Sequence, residues 1–158
     1  LYTVDSFTRL QVFIMRLSTK SRYAVTSLLD MVMHSENGPV SLAEISQRQG
    51  ISLSYLEQLF SKMRRNNLVA STRGPGGGYL LNDKPEEVFI ADIIAAVDDK
   101  VMVSNKDALP GVHSYEPCLT EQLWEELSDQ IAGYLNGISL ADMIKNQTES
   151  SQSVSASS

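Results

Sequence analysis

The stretch Ile51–Leu81, ISLSYLEQLFSKMRRNNLVASTRGPGGGYLL, decides how the rest of the chain is read. Its first half has the period of an amphipathic helix. With Leu56 at the centre of one face, an advance of about 100° per residue puts Leu53, Leu59, Phe60 and Met63 within about 60° of it. Those residues are expected to form a buried stripe. Ser54, Gln58, Ser61 and Arg65 fall on the opposite side, with Tyr55 and Lys62 on one flank and Glu57 and Arg64 on the other. Short hydroxyls, an amide and guanidinium groups on one surface suit a DNA major groove. Small side chains let the backbone approach, and Gln and Arg can make paired bonds to base edges. A plain solvated helix face accounts for the same residues on composition alone.

The second half separates these readings. Leu68–Arg73 and Tyr79–Leu81 read as two strands around the tip Gly74-Pro75-Gly76-Gly77-Gly78. Glycines there permit positive φ and close backbone approach, and Arg73 stands beside them. Helix, short turn and basic-tipped hairpin is the order of a winged helix-turn-helix, whose second helix enters the major groove while the wing reaches the adjacent minor groove or backbone. Phosphate-loop alternatives fail, because no Lys-Ser/Thr follows Gly78 and the glycine spacing does not fit GxGxxG. A flexible turn is the remaining bland reading of the tip.

Outward from this stretch, the charge is divided. The chain of 158 residues carries a formal net charge of −6, but Met15–Lys84 holds 9 Lys and Arg against 5 Asp and Glu, and residues 85–158 hold 3 against 13. The basic section contains the candidate DNA reader, where counterion release requires positive charge. Upstream, Thr19–Ser35 has helical spacing and ends before Gly38-Pro39, and Lys20, Arg22 and Tyr23 at its start are placed to touch phosphates. Ser41-Leu-Ala-Glu44 is a capping box that opens a short helix ending at Gly50.

Downstream, Ile90–Val97 reads as a short helix and residues 100–117 as a loop. Thr120–Leu135 reads as a longer helix of about 24 Å. Leu123, Trp124, Leu127, Ile131, Tyr134 and Leu135 form its apolar stripe, which suits a dimer interface or packing on its own domain. Ser139-Leu-Ala-Asp142 caps a final short helix to about Lys145. Six of the last nine residues are serine, which predicts a disordered tail.

The expected class is mainly α with a small β-hairpin: a winged helix-turn-helix plus a long C-terminal dimerisation helix. The expected division is an extension at 1–14, with Met15 a candidate start; the winged DNA-binding domain at 15–84; linker helix, loop and dimerisation helix at 85–146; and the serine-rich tail at 147–158. One cysteine excludes an internal disulfide framework. No apolar run approaches a membrane span, and no leader pattern is present at the start, so a cytoplasmic location is expected. No Ser/His/Asp set, paired carboxylate or metal quartet stands in a recognisable context, so an enzyme is not expected.

The run Met15-Arg-Leu-Ser-Thr-Lys-Ser-Arg-Tyr-Ala-Val-Thr26, the Ser52–Phe60 helix and the Arg73–Leu81 wing closely resemble the Rrf winged-helix family of transcription factors, and within it the iron–sulfur cluster regulators. The likeness runs from about Met15 to Asn146. It implies a homodimer whose long helices cross on a palindromic or near-palindromic DNA operator. It also implies base and backbone contacts from Ser52, Ser54, Tyr55, Glu57 and Gln58, with Arg73, Gly74, Pro75, Gly76, Gly77 and Gly78 in the wing. Lys62 and Arg65 join this set from the helix pattern.

The family's sensory site does not carry over. Its cluster-binding members hold a 2Fe-2S cluster through three cysteines and a histidine spaced C-x5-C-x5-C-x2-H. Here the third cysteine matches Cys118, while Lys106, Val112 and Glu121 occupy the other three positions. No cofactor and no metal site are therefore expected. His113, Glu116, Cys118 and Glu121 are of ligand type but match no metal spacing. Beside the regulator stand two alternatives: a winged-helix protein–protein adaptor, and a thiol-sensing regulator acting through Cys118, whose place near a helix start can lower its pKa. Operator, effector and sign of regulation are not encoded legibly.

Overall fold

The computed structural model describes residues 19–98 and 120–155. The extension at 1–14, Met15, the loop at 100–117 and Cys118 lie outside the described residues. In chain order the elements are α1 (Thr19–Met33), α2 (Leu42–Gln49), α3 (Leu53–Arg65), β1 (Val69–Thr72), β2 (Gly78–Leu81), a 3-10 turn (Pro85–Glu87), α4 (Ile90–Val97), α5 (Glu121–Asn136) and α6 (Leu140–Ser155).

Local chemistry sets most of these bounds. Ser41 and Glu44 close the capping box at the start of α2, and Gly50 ends that helix in the left-handed conformation at φ 65°. Ser52 caps α3, its hydroxyl accepting the Tyr55 N–H at 3.3 Å. The two strands pair antiparallel from Val69 opposite Leu81 to Thr72 opposite Gly78. Val40 extends this hairpin sideways, exchanging two backbone bonds with Tyr79 at 2.8 and 3.0 Å. The wing is thus stitched to the segment that leads into α2.

One core holds α1 to α4 together. Leu28, Met31, Ile45, Leu56, Phe60, Met63, Ile93 and Val97 are sealed from solvent, and α1 packs against α2, α3, α4, β2 and α6. The core does not stop at Lys84. Val88 and Leu140 belong to it, and a backbone link of Phe89 with Ser139 brings the chain after α5 back onto the winged domain. The bonds are Ile90 N–H to Ile138 O at 2.9 Å and Leu140 N–H to Val88 O at 2.8 Å.

Two sequence expectations are corrected. Leu53 belongs to the predicted buried stripe by its angle but is 43% exposed, because the first turn of α3 projects beyond the core. The serine-rich segment predicts a disordered tail from residue 147, yet α6 continues to Ser155. Its hydroxyls bond back to carbonyls of the preceding turn: Thr148 to Ile144, Ser150 to Asn146, Ser151 to Gln147 and Ser153 to Ser150, at 2.9–3.0 Å. These side chains satisfy themselves within the helix instead of competing with it.

Candidate nucleic-acid interface

The turn between α2 and α3 and the wing stand on one framework, and a buried carboxylate fixes its first joint. Asp30 on α1 receives Arg48 Nε at 3.0 and 3.1 Å, Arg48 Nη2 at 2.7 Å and Gln49 Nε2 at 2.7 Å from the end of α2. Burial opposes the charge on Asp30, but these bonds together with the Arg48 charge hold its pKa below the usual carboxylate value. The pairing sets the angle at which α2 leaves α1, and hence where α3 begins.

From α3, Ser52, Ser54, Glu57 and Gln58 stand exposed in the first two turns. A DNA-reading helix presents its N-terminal residues to base edges, and these four occupy that end. Tyr55 is different. It is half-buried and meets Tyr23 of α1 edge to face, ring centroids 5.8 Å apart and planes at 83°. Burial raises the Tyr55 pKa, with Tyr23 adding to it. The pair braces α3 against α1 and brings Tyr23 beside the candidate contact residues of α3.

The remaining candidates divide. Arg65 is exposed, its guanidinium folded back over Ser61 at 3.4–3.5 Å. Lys62 is not on the exposed face: half-buried, it donates to the Val97 carbonyl at 3.3 Å at the end of α4, where Asn66 Nδ2 meets Ala96 O at 3.3 Å. The orphan carbonyls of a short helix draw these donors inward. Lys20 and Arg22 start α1, but Arg22 lines an apolar groove of about 530 Å³ between α1 and α5, shared with Val25, Leu127, Ile131 and Tyr134. Only Tyr23 of the three reaches α3 in a ring contact.

In the wing, Arg73, Gly74, Pro75 and Gly76 are exposed at the tip, with Gly77 and Gly78 half-covered behind them. Gly76 turns the chain at φ 73°, where a side chain would be strained. Gly78 has a structural purpose instead. A Cβ there would meet the Val40 carbonyl at 2.4 Å, so its absence permits the stitch between wing and α2. Arg64, which the sequence placed only on a flank, ties α3 to the wing through Ser71 at 3.4 Å.

On α5, Leu123 and Tyr134 are 57% and 68% exposed, while Leu127, Ile131 and Leu135 are half-buried towards the groove. The Trp124 side chain lies outside the described residues. Among the described residues no helix is long and apolar enough to cross a membrane.

Comparison with known proteins agrees with this architecture. The profile of the Rrf2 family, described as "Iron-dependent Transcriptional regulator", matches residues 17–146. The chain is 58% identical over 130 residues to the putative HTH-type transcriptional regulator ORF2 of Azotobacter vinelandii, covering 82% of this chain and 79% of that one. It is 54% identical over 133 residues to the HTH-type transcriptional regulator IscR of Serratia proteamaculans, covering 84% and 81%. The solved structure of T. potens IscR superimposes with a TM-score of 0.71 at 37% identity, covering 84% of this chain and 88% of that one. With a winged helix-turn-helix in place and these likenesses running through most of the chain, it belongs to the Rrf2 family of transcriptional regulators, and is an IscR-like, DNA-binding, non-enzymatic member of it.

Proposed function

We propose that the chain regulates transcription in the cytoplasm as a homodimer on a near-palindromic operator, with α3 in the major groove and the wing in the neighbouring minor groove. The observation that carries this reading is the placement of Ser54, Glu57 and Gln58 on the exposed first turns of α3 while Arg73 is exposed at the tip of the stitched wing. The dimer contact is α5, whose Leu123 and Tyr134 stand out from the subunit. The winged portion corresponds to residues 15–84 and the dimer-forming portion to 85–146, with Leu140 returning to the winged core.

The chain's donor set does not fit the cluster held by related regulators. Such clusters need several thiolate or imidazole ligands, and Lys106, Val112 and Glu121 stand where three of the four should be, leaving Cys118. A protonated lysine and a valine donate no electron pair to iron. The regulator works without a cluster, its signal arriving through abundance, the Cys118 thiol or an effector.

Selection of bound sequences from a random DNA pool tests the central reading. A two-fold repeated motif with strongly salt-dependent binding is the expected result. Absence of enrichment would reject it and favour the adaptor. Anaerobic reconstitution with iron and sulfide is expected to leave the protein colourless; stoichiometric incorporation with visible absorption would reject the cluster-free reading.

A further inference from the structure

Leu53 is the odd member of α3. Leu56, Leu59, Phe60 and Met63 are at most 1% exposed, whereas Leu53 is 43% exposed and belongs neither to the core nor to the half-buried layer around it. It is the first residue of the helix, set between the exposed Ser52 and Ser54. Glu57 follows one turn later, about 40° round the helix axis. A helix start is ordinarily served by proline or by acidic and polar residues, so a branched apolar side chain contributes little to the helix itself. Single exposed apolar residues are common on protein surfaces; this one stands between Ser52 and Ser54, at the end of α3 assigned above to the groove.

We propose that Leu53 is a specificity-determining residue that packs against the 5-methyl group of a thymine in the major groove. The inference rests on the assignment of α3 as the reader helix. Thymine alone presents a methyl group on that edge, and cytosine presents an amino group at the neighbouring position. A carboxylate and a leucine on one flank therefore form a reader of pyrimidine edges, Glu57 accepting from cytosine N4 and Leu53 covering a thymine methyl. One helical turn rises about 5.4 Å and one base step about 3.4 Å, so the thymine lies one or two steps from the base facing Glu57.

The test uses the full chain and an operator obtained by selection from random DNA. Each thymine is replaced in turn by deoxyuracil, which deletes the methyl group and keeps the pairing edge. Replacement at one symmetry-related pair of positions is expected to weaken binding about three- to fivefold per half-site, the scale of one buried methyl. Leu53→Ala should bind the parent operator more weakly by a similar factor and be indifferent to uracil at that pair, while keeping its response elsewhere. Because Leu53 is exposed, the variant keeps the wild-type circular dichroism and melting temperature. Wild-type indifference to uracil at every position overturns the proposal, as does an Ala variant with undiminished sensitivity at the same pair or an operator without thymine there. Failure to distinguish operator from random DNA overturns the reader-helix assignment itself, whereas discrimination without methyl sensitivity overturns Leu53 alone.

Discussion

Asp30 has a side chain only 1% exposed, and its charge is held by Arg48, which is 31% exposed. Removing one partner of such a pair leaves a buried charge uncompensated. Arg48→Ala is expected to lower unfolding free energy by about 3 kcal/mol, the lower end for a buried pair, read as a shift in urea midpoint at constant slope. The folded pKa of Asp30 lies below its unfolded value, so the unfolded state binds more protons in acid and stability rises with pH. The contribution is complete above the ordinary carboxylate range of about 4 and disappears as pH falls through the depressed folded value. An Asp30→Asn variant should show a flatter stability profile below about pH 4; an unchanged profile would assign the acid dependence to other groups. At the reader surface, Glu57→Ala should relax base preference at one position per half-site and tighten non-specific binding, since a carboxylate repels phosphate. Identical preferences in variant and wild type would make Glu57 a surface charge only. Arg73→Ala should cost about 1–3 kcal/mol on operator if the side chain enters the minor groove, and unchanged affinity on every DNA would take the wing out of recognition.

Among the elements, α3 is gripped at both ends by different means: the Tyr23–Tyr55 ring pair near its start, and Lys62 and Asn66 reaching the carbonyls of α4 near its finish. Lys62→Met should therefore reduce stability by about 1 kcal/mol, the scale of one hydrogen bond, and leave the salt slope of DNA binding unaltered. A shallower slope would restore Lys62 to the phosphate-contacting set. The inward turn of Lys62 shows where sequence reading reaches its limit. Periodicity places the residue correctly on a flank of α3 and Leu56, Leu59, Phe60 and Met63 in the buried stripe, and the Ser41–Glu44 and Ser139–Asp142 motifs place the starts of α2 and α6, because these are local properties. Which helix lies against that flank is a tertiary fact. Leu53 failed for the complementary reason: its angle is that of a core residue, but its position along the axis is beyond the core. Gly78 was legible as a glycine of the wing tip, whereas the Val40 backbone that demands it comes from a distant part of the chain.

For the whole molecule, the proposed dimer rests on the exposed Leu123 and Tyr134 of α5. Each fully buried side chain of this kind contributes about 1.5–3 kcal/mol before entropic costs, and two-fold symmetry doubles every contact. Leu123→Asp with Tyr134→Asp should yield folded monomers of poor operator affinity, since both positions are outside the subunit core. Sedimentation showing wild-type monomers at micromolar concentration would refute the dimer. The fold class and the helix followed by a hairpin at 51–81 were legible because both are written in contiguous residues, whereas the return of Leu140 to the core was not. That return governs how the chain is made. A polypeptide growing on the ribosome can assemble α1 to α4 early, but the site beside Val88 and α1 stays open until residue 140 has emerged. Closing so wide a loop carries an entropic cost that grows only logarithmically with its length, yet distant pairings of this kind slow folding. The newborn regulator therefore carries an apolar seam unsealed from the appearance of Val88 until Leu140 has emerged, and closes it with α6.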